Sequence, residues 1–96
     1  MSVNILSQDK KTLVNYDNVT SLYIQKKYMQ YSHPDTWWEI RVMYPAISPE
    51  DALYDVLARF EDEKMCESTF IKIVNLICEQ KENLILISDI LKEVKI

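Results

Sequence analysis

Glycine is absent from this 96-residue chain, where an average sequence of that length carries roughly seven. Its absence excludes P-loops and dinucleotide-binding loops, whose backbone approaches phosphate closely at glycine. Turns must then rest on Asn, Asp and Pro, which tolerate or preset turn dihedrals. Cysteine occurs twice, as Cys66 and Cys78, too few for a secreted disulfide scaffold. Both read as small hydrophobic residues. The single histidine, His33, has no sequence-marked nucleophile beside it, as a hydrolytic triad requires. One histidine and two separated cysteines also fail the paired spacing of a zinc site. No metal, no cofactor and no catalytic residue is therefore expected, and the chain reads as a non-enzyme. No run approaches the ~20 apolar residues of a membrane span, and the opening MSVNILSQ lacks the basic and apolar regions of a signal peptide. The expected setting is soluble and cytoplasmic, without a membrane partner.

What is present is a 48% apolar composition with ten aromatic residues, enough for a modest core in one domain spanning residues 1–96. Net charge is −4, unevenly spread. Residues 1–46 carry +1 and residues 47–96 carry −5, so a β-rich half precedes an acidic, helical half. Direct nucleic-acid binding draws its affinity from neutralising phosphates, and this balance argues against it.

The first half alternates in short runs. Val3, Ile5 and Leu6 suggest a strand, Gln8-Asp9-Lys10-Lys11 a turn, and Thr12 to Tyr16 a second strand. After Asp17-Asn18, Val19 to Tyr28 places Leu22 and Ile24 on one face, with Tyr23, Gln25 and Lys27 on the other. Tyr31-Ser32-His33-Pro34-Asp35 reads as a loop. The next strand, TWWEIRVMYP, sets Trp37 beside Trp38, and successive strand side chains point to opposite faces. Trp38, Ile40, Val42 and Tyr44 form the core-like face, leaving Trp37, Glu39, Arg41 and Met43 outside. Trp37 must then meet solvent, a partner, the chain's own late helices, or the stem of Lys27.

At Ser48 the period changes. Ser48-Pro49-Glu50-Asp51 resembles a capped helix start, and Leu53, Val56, Leu57 and Phe60 have helical spacing. Asp51, Asp55 and Asp62 would fall on one face of that helix. Seven acids lie between Ser48 and Glu67, against Arg59 and Lys64 alone. Two further helices are expected, one from a Ser68 cap through Phe70, Ile73, Val74 and Ile77, the other through Leu84, Ile87, Leu91 and Val94. The fold class is α+β: an antiparallel meander of three to four strands, then two or three helices packed on one face.

The segment NILSQDKKTLVNYDNVTSLYI, with its Gln8-Asp9-Lys10 turn, Leu13-Val14-Asn15 strand and Asp17-Asn18-Val19 turn, resembles the N-terminus of small proteins of Gram-positive bacteria and their phages. As a short, acidic, glycine-poor chain without catalytic groups, it also resembles phage anti-CRISPR inhibitors at the level of class. That resemblance implies a bacterial partner such as a CRISPR nuclease, bound where nucleic acid would otherwise sit. On this reading Asp51, Asp55, Glu61, Asp62 and Glu63 supply phosphate-like charge that steers association. Trp37, Tyr23 and Arg41 supply the aromatic and arginine anchors typical of interface hot spots. The alternative is a homo-oligomeric structural or regulatory module with Trp37 buried between subunits.

Overall fold

The computed structural model describes residues 3–28, 36–45 and 53–94. The loop assigned to His33 and the helix start assigned to Ser48-Pro49-Glu50-Asp51 lie outside these residues. The chain is α+β: strands β1 (Asn4–Leu6), β2 (Leu13–Asn15), β3 (Ser21–Tyr28), β4 (Thr36–Met43) and β5 (Tyr54–Phe60) are followed by helix α1 (Glu63–Glu79), strand β6 (Leu84–Leu86) and helix α2 (Ile87–Val94). The meander is β3-β4-β5, antiparallel throughout. The first hairpin does not extend it. Instead β1 pairs antiparallel with β2 and parallel with β6, forming a second three-stranded sheet in the order β2-β1-β6.

The segment expected to begin a helix at Ser48 is, from Tyr54 to Phe60, a strand. Its spacing misleads because of a β-bulge. Ile40 pairs with Ala58 but Arg41 pairs with Val56, which leaves Leu57 as the extra residue. Leu57, Ala58 and Phe60 are consequently all buried, and the Leu57-to-Phe60 interval of three imitates one helical turn. Tyr54, Val56 and Phe60 favour strand on their own account, and β4 would otherwise lack its second neighbour.

Helix α1 starts six residues before the expected Ser68 cap. Asp62 is the N-cap, its side chain accepting from the Lys64 amide at 2.9 Å, and Glu63 occupies the first turn where the helix dipole favours a carboxylate. Cys66, Thr69 and Ile73 form the buried stripe of this helix. Burial, with the charges of Glu67 and Glu63, pushes the Cys66 thiol up to about 11, so it packs as a neutral hydrophobic group. Cys78, expected to do likewise, is exposed. The region from Leu84, expected to be helical throughout, divides into a strand and then a helix. Ile85 lies opposite Ile5 on β1, and both are fully buried.

One core joins these parts. Ile5, Val14 and Ile85 meet Ile40, Val42, Leu57 and Phe60, with Ile73 of α1 and Ile87, Ile90 and Leu91 of α2 closing it. Gln8 stitches the hairpin to the meander: its amide donates to the Leu57 carbonyl at 2.8 Å, and its side-chain Oε1 accepts from the Arg59 amide at 3.1 Å.

Without glycine, two other residues take left-handed dihedrals: Lys10 at φ 64° in the β1–β2 turn and Gln80 at φ 53° after α1. Asp9 compensates the first by accepting from the Ser7 hydroxyl and the Lys11 amide. Those two bonds hold its carboxyl below the usual range. Gln80 closes α1 where glycine is the favoured residue. Gln80→Gly should therefore raise stability by about 0.5–1 kcal/mol, a Tm increase of about 2–8 °C measurable by thermal unfolding.

Candidate functional site

The alternation of β4 sorts its residues as the sequence implies. Ile40 and Val42 are fully buried, and Trp38 packs against the core with the Lys26 ammonium 5.8 Å from its ring centre. Trp37, Glu39, Arg41 and Met43 lie on the opposite face. Helix α1 packs on the core side, joined through Cys66 and Ile73 to the inward residues of β4 and β5. Trp37 is thus not covered by the late helices. Its neighbour is Arg59 of β5, whose guanidinium lies 4.2 Å from the indole centre, in the place expected for Lys27.

Glu39 organises this outer face. One carboxylate oxygen accepts from the Trp37 indole N–H at 3.1 Å; the other accepts from Arg41 Nε at 2.8 Å and from Arg41 Nη2. Burial alone would raise the Glu39 pKa. The bonds from Trp37 and Arg41, with the charges of Arg41 and Lys27, outweigh it and hold the carboxyl below its ordinary 4.5. Arg41 is driven the other way: burial would lower its pKa, but bonding with Glu39 and Tyr23 raises it. Although it sits on the outer face, Arg41 is only 7% exposed. Tyr54 lies against it, the guanidinium 4.2 Å from the ring centre.

Two stacked couples result, with opposite order. In one, half-buried Trp37 carries exposed Arg59; in the other, buried Arg41 carries Tyr54, which is 49% exposed. The solvent therefore meets the Arg59 guanidinium and the Tyr54 phenol ring, both planar and each packed on a partner. Lys27 pairs with Trp37, Tyr23 with Arg41 and Glu39 with Arg59 across the strands. Among the described residues, this face holds Lys27 and Arg59 beside the Arg41–Glu39 ion pair, with Glu61 at its border.

The expected acidic stripe is not assembled. Asp51 lies outside the described residues. Asp55 is on β5 opposite Val42, half-buried, and accepts from the Tyr44 hydroxyl at 2.7 Å. Burial and then this contact push the Tyr44 hydroxyl up to about 12. Glu61, Asp62 and Glu63 are exposed and consecutive at the β5–α1 corner. Glu61 joins Thr36, Trp37 and Arg59 around a cavity of about 210 Å³. The structure thus brings Trp37, Tyr23 and Arg41 together, sets Glu61 beside Trp37, and separates Asp55 from them.

Arg59, Glu39 and Tyr54 were not among the residues singled out from the sequence. Reading residues 54–60 as a strand would have placed Arg59 beside β4, where it stacks on Trp37. Among the described residues, no three or more His, Cys, Asp or Glu side chains converge, and no helix is long and apolar enough to cross a membrane. Protein-family models, curated proteins and solved structures return no match to the chain.

Replacing Glu39 by Gln should cost about 2–3 kcal/mol at pH 7, since Arg41 loses a charged acceptor while remaining desolvated. The sign with pH follows from the depressed carboxyl. Its contribution is full above the unfolded pKa and disappears as pH falls through the lower native value. Urea unfolding from pH 7 to pH 2 should show wild type losing more stability than Glu39→Gln below about pH 4.5; parallel curves would refute the assignment.

Proposed function

We propose that this chain is a non-enzymatic protein-binding inhibitor of the phage anti-CRISPR kind. It acts in the cytoplasm of a bacterial host on a nucleic-acid-binding effector such as a CRISPR nuclease. The observation that carries the reading is the Trp37 couple: an aromatic anchor fixed by Glu39 and Arg59, outside the core, with Glu61 at its border. Trp, Tyr and Arg are the residues that dominate binding energy in desolvated interface centres. Their prior immobilisation reduces the ordering cost of association.

Charge enters differently from the expected acidic helix. Glu61, Asp62 and Glu63 form an exposed corner at one end of the aromatic face, suited to meet Lys and Arg side chains of a groove built for phosphate. Such a contact governs association rate and partner choice more than final affinity. Asp55, tied to Tyr44 on the inner side, is left out of this surface.

A panel of CRISPR effector nucleases, loaded with guide and target, tests the reading through cleavage. One member should be inhibited at stoichiometric concentrations of the chain. Glu61→Lys with Glu63→Lys should slow association by about tenfold and weaken its salt dependence, whereas Trp37→Ala should accelerate dissociation by about tenfold or more. Asp62 is spared because it caps α1. Absence of inhibition across the panel, or folded variants that inhibit like wild type, would refute the proposal.

A second reading, homo-oligomerisation, has its own observation. Leu13, Leu6 and Leu86 stand in register across β2, β1 and β6 on the side away from Ile5, and Leu84 lies two residues along. Leu13 and Leu84 are 61% and 47% exposed. The six residues on that side, the four leucines with Asn4 and Asn15, carry no charge, so two acidic copies could meet there. Sedimentation equilibrium decides it: a monomer at micromolar concentration removes this reading.

A further inference from the structure

Among the described residues, Arg59 has no charged partner. The other arginine, Arg41, spends its Nε–H and an Nη–H on Glu39, and that carboxylate also accepts from Trp37. Glu39 stands directly across from Arg59 in the sheet register, yet its carboxylate accepts from Trp37 and Arg41 and makes no ion pair with Arg59. Among the described residues, no ion pair involves Arg59. It lies instead over the indole of Trp37, its backbone N–H fixed by Gln8 Oε1. A guanidinium presents its N–H donors as a planar fork that matches the two oxygens of a carboxylate. Beside it opens the cavity bordered by Thr36, Trp37 and Glu61.

We propose that this cavity seats a single carboxylate side chain of the partner, flanked on the partner by basic residues, with Arg59 as the binding group. The inference rests on the protein-binding reading of the same face and names the chemistry that the partner presents there. Charges of opposite sign stand close together along this chain: the Arg59 guanidinium, then the carboxylates of Glu61, Asp62 and Glu63. A partner complementary to both carries an acid at the centre and bases beside it. A continuous polyanion fits poorly, because phosphates following the one bound at Arg59 would run onto the three acids. A lone cationic side chain fits poorly too, since it would meet the Arg59 guanidinium that borders the same cavity.

The test is a titration of the full-length, isotope-labelled chain, read at the Arg59 Nε–H and Trp37 Nε1–H resonances. The probes are the peptide acetyl-Lys-Asp-Lys-amide, its Asn counterpart acetyl-Lys-Asn-Lys-amide, and a short oligothymidylate. The Asp peptide should half-saturate both resonances at a concentration about tenfold below that of the Asn peptide. In Arg59→Gln the difference, read at Trp37, should vanish, and Arg59→Lys, which keeps charge but loses the fork, should retain only part of it. Amide spectra with native dispersion establish that each variant folds. Equal response to the two peptides, a preference that survives Arg59→Gln, or tighter binding of the oligothymidylate at these resonances would overturn the proposal. No nuclease takes part, so failure here leaves inhibition standing, and failure of inhibition leaves the peptide preference standing.

Discussion

Strand β4 is central in its sheet and has two faces with incompatible demands. One must be dry enough to pack against α1 and the second sheet; the other has no helix over it among the described residues. Alternation enforces this division, and the outer face meets it with a charge placed at the centre of three donors. Glu39 binds Trp37 and Arg41 together, so neither the indole N–H nor the nearly buried guanidinium is left without an acceptor. Buried donors left unpaired would each cost about 1–3 kcal/mol. The order of the outer face and the stability of the sheet therefore share one carboxylate.

How much of this was readable in advance depended on whether local period or distant pairing set the outcome. The inward and outward assignment of Trp38 and Trp37 followed from strand alternation and is found in the structure. The α+β class and the β3-β4 portion of the meander were legible for the same reason. Residues 54–60 were not, since a bulge at Leu57 converts a period of two into an interval of three and mimics a helical turn. That misreading carried Asp55 onto a helix face and hid Arg59. The parallel pairing of β1 with β6 links residues about eighty positions apart, and no local pattern announces such a partner. Likewise Ser68 resembled a cap, although the stripe through Cys66 and Thr69 extends the helix back to Asp62.

The two stacked couples differ in what they expose to solvent. Arg41 is desolvated, doubly bonded and overlain by Tyr54, so its role is to support the ring above it. Arg59 is exposed and, among the described residues, has no charged partner. Sequence gives both residues the same letter; the difference comes from which of them reaches Glu39. Two residues of one type are thus divided into a buried support and an exposed group by a single acceptor that only one of them reaches.

Gln8 has a consequence beyond joining the two sheets. Edge strands present unpaired amides and carbonyls to any passing chain, and β5 is an edge of its sheet. By occupying the Leu57 carbonyl and the Arg59 amide, Gln8 acts as a stopper placed at the bulge, where the strand already bends. Detaching the N-terminal hairpin would uncover that template beside Val56 and Tyr54, which are already exposed. The hairpin is therefore also a guard against self-templated aggregation, and a truncation that spared every residue of the outer face would still leave a protein prone to precipitate.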